Sequence, residues 1–431
     1  VKFSQYTTRF ALVAGALAAC ATVASAASVC DVRSYGAKGD GKTKDTAAIQ
    51  KAIDTCAQQG GGTVELTVGT YLSAPIVLKS NINFHLDKGA TLLGSTEKSD
   101  YPTKLEFGEP GRQALVSATN AENIAITGEG VIDGNGEPWW KEAHELHAKG
   151  IDAGVMGLDF TRPRLVVFDH SKHILMQDVT VQNSPMWQIV PYYSENIIFR
   201  NIKVLAPEHS SNTDAIDPFS SSHIIIDHVL ADTGDDNVAI KSGAVGSIGP
   251  NGSSHDIWIT DCTFKHGHGL SIGSEIVGGV QNIVAERITF EDTDNGIRVK
   301  ANRDRGNIDI GNFVFRDITM KNVKNDIIIS EYYPKVAPKP GESAKPLSRL
   351  TPFFHDILIE NVKAEGETNA GVIIGLPESP VQAVTLRNVQ IKSKTPMIVG
   401  FANVTAEGFS VEASDGGEGI TKIEGANLSG K

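Results

Sequence analysis

Four short clusters in the middle of the chain carry side chains able to do chemistry. They are Asn212-Thr213-Asp214, Gly234-Asp235-Asp236-Asn237, Gly267-His268-Gly269 and Arg298-Val299-Lys300. Three carboxylates, an imidazole and two fixed cations can hand over a proton, activate water and hold an anion. The adjacent pair Asp235-Asp236 is informative, because neighbouring acids repel and give a turn nothing that one acid does not. If Asp214 lies close to them, the three cannot all stay charged cheaply, and one holds a proton with a raised pKa. His268 stands between two glycines, which permit close backbone approach rather than packing. Other acids, such as Asp217, Asp227 and Asp232, read as turn residues at corners, and His223, His228, His255 and His266 as solvated or repeat residues. Trp187 reads either as lining for a subsite or as cover for a turn of chain.

The spacing around these clusters predicts what positions them. Aligned on Asp214, Asp236, His268 and Asn295, the second residue after each is Ile216, Val238, Leu270 and Ile297. For the last three, the fourth residue after is Ile240, Ile272 and Val299. Apolar residues two apart share one face of a strand, so each cluster opens an equivalent strand. The steps of 22, 32 and 27 residues each suit one coil of a parallel β-helix. Successive coils lie about 4.8 Å apart. The carboxylates then fall on two neighbouring rungs, the imidazole on a third and the cations on a fourth. Arg298 and Lys300 share the face opposite Ile297 and Val299, as an anion-binding row.

A seven-residue frame repeats along the chain, as in Asn196-Ile-Ile-Phe-Arg-Asn-Ile202, Asp256-Ile-Trp-Ile-Thr-Asp-Cys262 and Asp356-Ile-Leu-Ile-Glu-Asn-Val362. Its starts, from His173 to Ala383, are separated by 23, 27, 33, 26, 30, 44 and 27 residues. So regular a period overrides the two or three domains that 431 residues would otherwise suggest. The expected fold is all-β: a single-domain right-handed parallel β-helix over 27–431, with a loop over Tyr333 to Pro352 in the one long step. The Asn and Asp of the frame suit left-handed corners and could stack as a ladder. Asp45 to Cys56 has helical apolar spacing and is followed by Gly60-Gly61-Gly62, which predicts an amphipathic N-terminal capping helix. Trp139-Trp140 followed by Lys141 to Lys149 predicts a second short helix on a loop beside the groove.

The first 26 residues read as a secretory signal peptide: Lys2 and Arg9, an apolar run from Phe10 to Ala19, then Ala24-Ser25-Ala26. A competing reading is lipid attachment at Cys20, the one route to a membrane. Loss of the leader's two positive charges takes the formal net charge from −12 to −14, which argues against nucleic acid. Arg298, Lys300, Arg303 and Arg305 still form a local cationic cluster for an anionic substrate. Export predicts a Cys30–Cys56 disulfide and leaves Cys262 as a buried small hydrophobe. With so few thiols and no paired histidine spacing, no metal and no cofactor are expected.

These motifs, in this order and on this repeat, resemble the polygalacturonases of glycoside hydrolase family 28. The resemblance extends to Tyr35-Gly36-Ala37-Lys38-Gly39-Asp40-Gly41, Gly130-Val131-Ile132-Asp133-Gly134 and Asn183-Ser184-Pro185, and covers nearly the whole chain after the leader. It implies a secreted (extracellular or periplasmic) monomer hydrolysing the α-1,4-galacturonosyl linkages of pectin or polygalacturonate. Asp235 is implied as general acid, and Asp214 and Asp236 as the groups positioning and deprotonating water, with inversion at the anomeric carbon. His268 tunes the proton, Asn212, Arg298 and Lys300 bind substrate, and the stacking aromatic is Tyr332 or its neighbour Tyr333, of which Tyr332 is taken. Rungs about 4.8 Å apart are closer than the roughly 6.5–9.5 Å usual between inverting carboxyls, yet inversion is the expectation. The sequence departs from the family at Ala215, where Gly is usual and an added methyl could alter substrate fit, and at Val299, a core exchange. The absence of a long insertion at one end predicts an open groove and internal cleavage. Exo-cleavage, a calcium-dependent β-helix pectate lyase and a non-catalytic adhesin are the alternatives.

Overall fold

In the computed structural model, residues 28–106, 109–150, 162–246, 252–334, 341–366 and 368–430 are described. The proposed leader, including Cys20, lies outside them. The chain winds as a right-handed parallel β-helix, and the repeat frame is its unit. The second residue of the frame forms one unbroken column, Ile124, Ile174, Ile197, Ile224, Ile257, Ile283, Phe313, Ile357 and Val384, each paired in register with the next. This column and the frame's fourth and seventh residues fill the core.

The corners explain the polar places of the frame. Its first residue takes a left-handed backbone in every repeat from Asn123 to Ala383, with φ between 50° and 60° (Asp356 at 51°, Asn196 at 60°). Its sixth does the same, from Asp178 at 65° to Asn388 at 51°. Left-handed backbone costs most L-residues roughly 1–2 kcal/mol, and Asn and Asp bear it best. Their side chains then bond from coil to coil: Asn282 Nδ2 donates to Asp256 Oδ1 at 3.0 Å, and Asn388 Nδ2 to Asn361 Oδ1 at 2.8 Å. The expected ladder is present, built from Asp as well as Asn.

A helix over Thr46–Gln58 (α1) closes the first coil, burying Ile49, Ala52, Ile53 and Cys56 completely. Asp45 does not cap it with its side chain. Its carboxylate instead accepts from the amides of Lys38 and Gly39 at 2.7 and 2.9 Å, tying the preceding loop to the helix. Cys30 and Cys56 are disulfide-bonded, joining the strand Ser28–Asp31 to α1, and Cys262 is buried and unbridged. A second helix, Glu137–Ala148 (α2), buries Trp139 and Trp140. Its His144 meets the Ser211 hydroxyl at 2.9 Å, next to the first chemical cluster. No described helix is long and apolar enough to cross a membrane.

Candidate active site

The groove sheet carries the four clusters in the register that the spacing implies. Ile216 bridges Val238, Val238 pairs with Leu270, and Leu270 with Ile297. Between these inward residues, Ala239, Ser271, Arg298 and Ile328 form an outward column on the groove floor. Asp214, Asp235-Asp236 and His268 stand just before their strands, at the groove's edge. The chain reaches this edge through glycines that nothing larger could replace. At Gly269, with φ +76°, a Cβ would fall 1.9 Å from the Asn295 carbonyl oxygen, and at Gly267, with φ +63°, 2.2 Å from that of Asp235.

Asp236 is the electrostatic centre. It is 2% exposed. One of its oxygens accepts from Ser271 Oγ at 2.9 Å and from the Arg298 guanidinium; the other accepts from Lys300 Nζ at 3.0 Å. Ser271 in turn accepts from Arg298 Nε at 2.8 Å, so hydroxyl and guanidinium are set as a unit. Burial works against the Asp236 charge, but Arg298, Lys300, His268 and Lys241 outweigh it and hold the carboxyl well below the usual range. The two cations expected as a free anion-binding row therefore already share one internal carboxylate. They also border a cavity of about 450 Å³ that runs along the groove past Asn325 and Asn369.

Asp235 is the more accessible acid, its side chain 21% exposed. His268 Nδ1 lies 2.9 Å from its Oδ1 and 4.0 Å from Asp236 Oδ1, while Nε2 lies 3.4 Å from Asp294. Burial disfavours the imidazolium, but the hydrogen bond to Asp235 and the charges of Asp235 and Asp236 prevail and raise the His268 pKa. Asp214 sits one coil back and is buried. Burial, then Asp235 and Asp217, push its proton affinity well up, against the pull of Lys241. Lys241 Nζ lies 3.8 Å from Asp214, 3.6 Å from Asp217 and 3.4 Å from Glu275. Asp235, Asp236 and His268 present ligand atoms within 4.8 Å of one another. Both oxygens of Asp236 are already taken by cations, so these residues fit a proton relay better than a metal site.

Several expectations change. Asn212 faces Arg162, whose guanidinium donates to its Oδ1 at 2.6 Å, so its contact here is internal. Ala215 is fully buried in the core cluster, and its methyl packs inward rather than altering the groove. The two candidate tyrosines differ in their surroundings. The Tyr333 ring lines the cavity with Lys300 Nζ 5.1 Å from its centre, whereas Tyr332 lies under Arg303, 5.8 Å away. Trp187 is buried beneath two cations, with Arg164 at 4.6 Å and Lys241 at 4.8 Å from its ring. Asp217 is no corner residue: it is fully buried beside Lys241. Ser271, Lys241 and Glu275 were missed because no motif contains them. The register held the signal, since Ser271 falls between Leu270 and Ile272 on the outward column, and Lys241 follows Ile240 as Lys300 follows Val299.

With this geometry in place, comparison with known proteins is specific. The family described as Glycosyl hydrolases family 28 matches residues 56–413. An endo-polygalacturonase of Pectobacterium carotovorum subsp. carotovorum is 31% identical over 376 residues, covering 83% of this chain and 86% of that protein. The structure of a hyperthermoactive exopolygalacturonase from Thermotoga maritima superposes with a TM-score of 0.76 at 31% identity, covering 90% of this chain and 92% of that one. The polygalacturonase from Erwinia carotovora ssp. carotovora gives 0.68 at 26% identity, covering 94% and 97%.

Proposed function

The chain belongs to glycosyl hydrolase family 28, the polygalacturonase family, and we propose that it hydrolyses internal α-1,4-galacturonosyl linkages of polygalacturonate with inversion. The observation that carries this reading is the split of labour between neighbouring carboxyls. Asp236 is held ionised by Arg298 and Lys300, while Asp235, beside it, is paired with an imidazole and open to the groove. Asp235 gives its proton to the glycosidic oxygen as the bond from that oxygen to the anomeric carbon breaks. Water adds to the opposite face of that carbon, and its proton passes to Asp214, with Asp236 orienting it. Asp214 is the better acceptor of the two, because its proton affinity is raised whereas two cations make Asp236 a weak base. His268, charged by its contact with Asp235, resupplies the acid from solvent. Arg298 and Lys300 hold the substrate carboxylate, Tyr333 stacks on a sugar ring, and Asn212, positioned by Arg162, borders the same subsite.

The disulfide supports folding in an oxidising compartment, in keeping with a secreted monomer. For internal cleavage, the support is the cavity, which continues for three rungs beyond Arg298 to Ile328, Val372 and Ile398, about 14 Å of groove. Cleavage from chain ends is the second reading, favoured by the likeness to the Thermotoga maritima exopolygalacturonase. Viscosity and reducing ends followed together on polygalacturonate separate them. Internal cleavage gives rapid viscosity loss with few new ends, and release of mono- or digalacturonate alone overturns it.

A further inference from the structure

Lys241 lies outside the four motifs, yet it occupies the groove sheet two rungs before Lys300 and on the same column, since Ile240, Ile272 and Val299 are in register. It is 5% exposed. Three carboxylates surround its ammonium: Asp214 Oδ2 at 3.8 Å, Asp217 Oδ1 at 3.6 Å and Glu275 Oε2 at 3.4 Å. The Trp187 ring lies 4.8 Å beneath it. We propose that Lys241 is a positioning residue that shifts Asp214 toward the ionised form needed of a proton acceptor, and that Asp217 opposes it from the same coil as Asp214. This rests on the reading of Asp214 as the group that receives the water proton.

The argument follows from who faces Asp214. From its own coil comes Asp217; from the next, Asp235, Asp236 and Lys241; from the coil after that, Glu275 reaches Lys241; and Arg162 approaches through Asn212. Arg298 and Lys300 are both engaged by Asp236, so Lys241 is the ammonium that Asp214 itself contacts among the described residues. A buried carboxylate facing two or three others cannot accept a proton unless it is first free of one, and an opposite charge at this distance favours the free form. Asp217 is wholly buried, and burial pushes its pKa up to about 7 against the pull of Lys241. When it is neutral, the lysine charge acts on Asp214 and Glu275; when it ionises, it raises the cost of charge on Asp214. Lys241 and Lys300 hold Glu275 charged against its partial desolvation, and Glu275 fixes the ammonium from the next coil at 3.4 Å.

The test is the acidic limb of kcat/KM against pH on polygalacturonate, read as the apparent value of the coupled group. Lys241→Met moves the limb to higher pH, by roughly 1–3 units for loss of one adjacent cation. Lys241→Arg brings it back toward its original place. Asp217→Asn moves it the other way, to lower pH, where the limb lies above about 7 and Asp217 carries a charge, and leaves it in place below that. Uniform loss of activity at all pH values, with the limb in place for Lys241→Met, overturns the proposal and leaves a packing role. If Lys241→Met does not fold, Glu275→Gln carries the test: it is predicted to lower the limb, because it removes a carboxylate that shares the ammonium with Asp214, and an unmoved limb overturns the proposal. Asp214→Asn separates the two readings. Retained turnover there refutes Asp214 as acceptor, whereas loss of turnover with unmoved limbs refutes the role of Lys241 alone.

Discussion

Lys300→Met isolates the ion pair at the centre of the site. Lys300 and Asp236 are 5% and 2% exposed, and Nζ lies 3.0 Å from Oδ2. Removing one partner of a buried pair costs about 3–5 kcal/mol, because a desolvated charge is left behind. Arg298 remains on the other oxygen, so the loss here falls at the low end, about 3 kcal/mol. Its pH dependence has a definite sign. In the intact protein the folded-state pKa of Asp236 is depressed, so its stabilisation is present above the unfolded value of 3.8 and fades only as pH falls toward the lower folded value. Without Lys300 the carboxyl takes up a proton more readily. The stability gap between variant and parent is therefore widest near pH 7 and narrows as pH falls below about 4. Denaturant unfolding at a series of pH values measures it, with Asp236→Asn and the double variant completing a cycle. On the proposed mechanism, which assigns the same ammonium to the substrate carboxylate, KM for polygalacturonate also rises. Additive single variants, to within about 0.5 kcal/mol, would refute the coupling.

Cys30→Ser opens a loop spanning 26 residues and should lower stability by about 3.5 kcal/mol in the chain-entropy account, with activity per folded molecule retained. Unfolding curves check the loss, and a mass spectrum of unreduced protein with Cys30 and Cys56 both as free thiols would contradict it. Tyr333→Ala should raise KM for polygalacturonate more than Tyr332→Ala, because Tyr333 lines the cavity and Tyr332 packs by Arg303. Steady-state kinetics on both variants decide it, and the reverse order returns the role to Tyr332.

Much of this molecule is legible in its sequence because a β-helix is nearly one-dimensional. Ile257, Ile283 and Phe313 announce a column because each coil repeats the same inward place, and the Asn and Asp beside them announce corners because only a few residues bear left-handed backbone. The spacing alone thus puts the four clusters on neighbouring rungs. What escaped were contacts across columns. That Arg298 and Lys300 would turn onto Asp236 depends on side-chain reach over two rungs, which periodicity does not record. The choice between Tyr332 and Tyr333 depends on how the chain leaves the strand Asn325–Ser330, where alternation stops. Asp217 resembled Asp227 and Asp232 in sequence, yet it is fully buried while they stay partly exposed at the surface.

The assignment of Asp235 as the acid is tested most directly by the turnover of Asp235→Asn on polygalacturonate. The amide keeps the shape and the contact with His268 but has no proton to give. General acids typically contribute about 10²–10⁴-fold, so kcat should fall at least that far. KM should hold, as the neutral amide takes the place of a neutral, protonated acid. Near-normal kcat would contradict the account and transfer the acid role to Asp214 or Asp236.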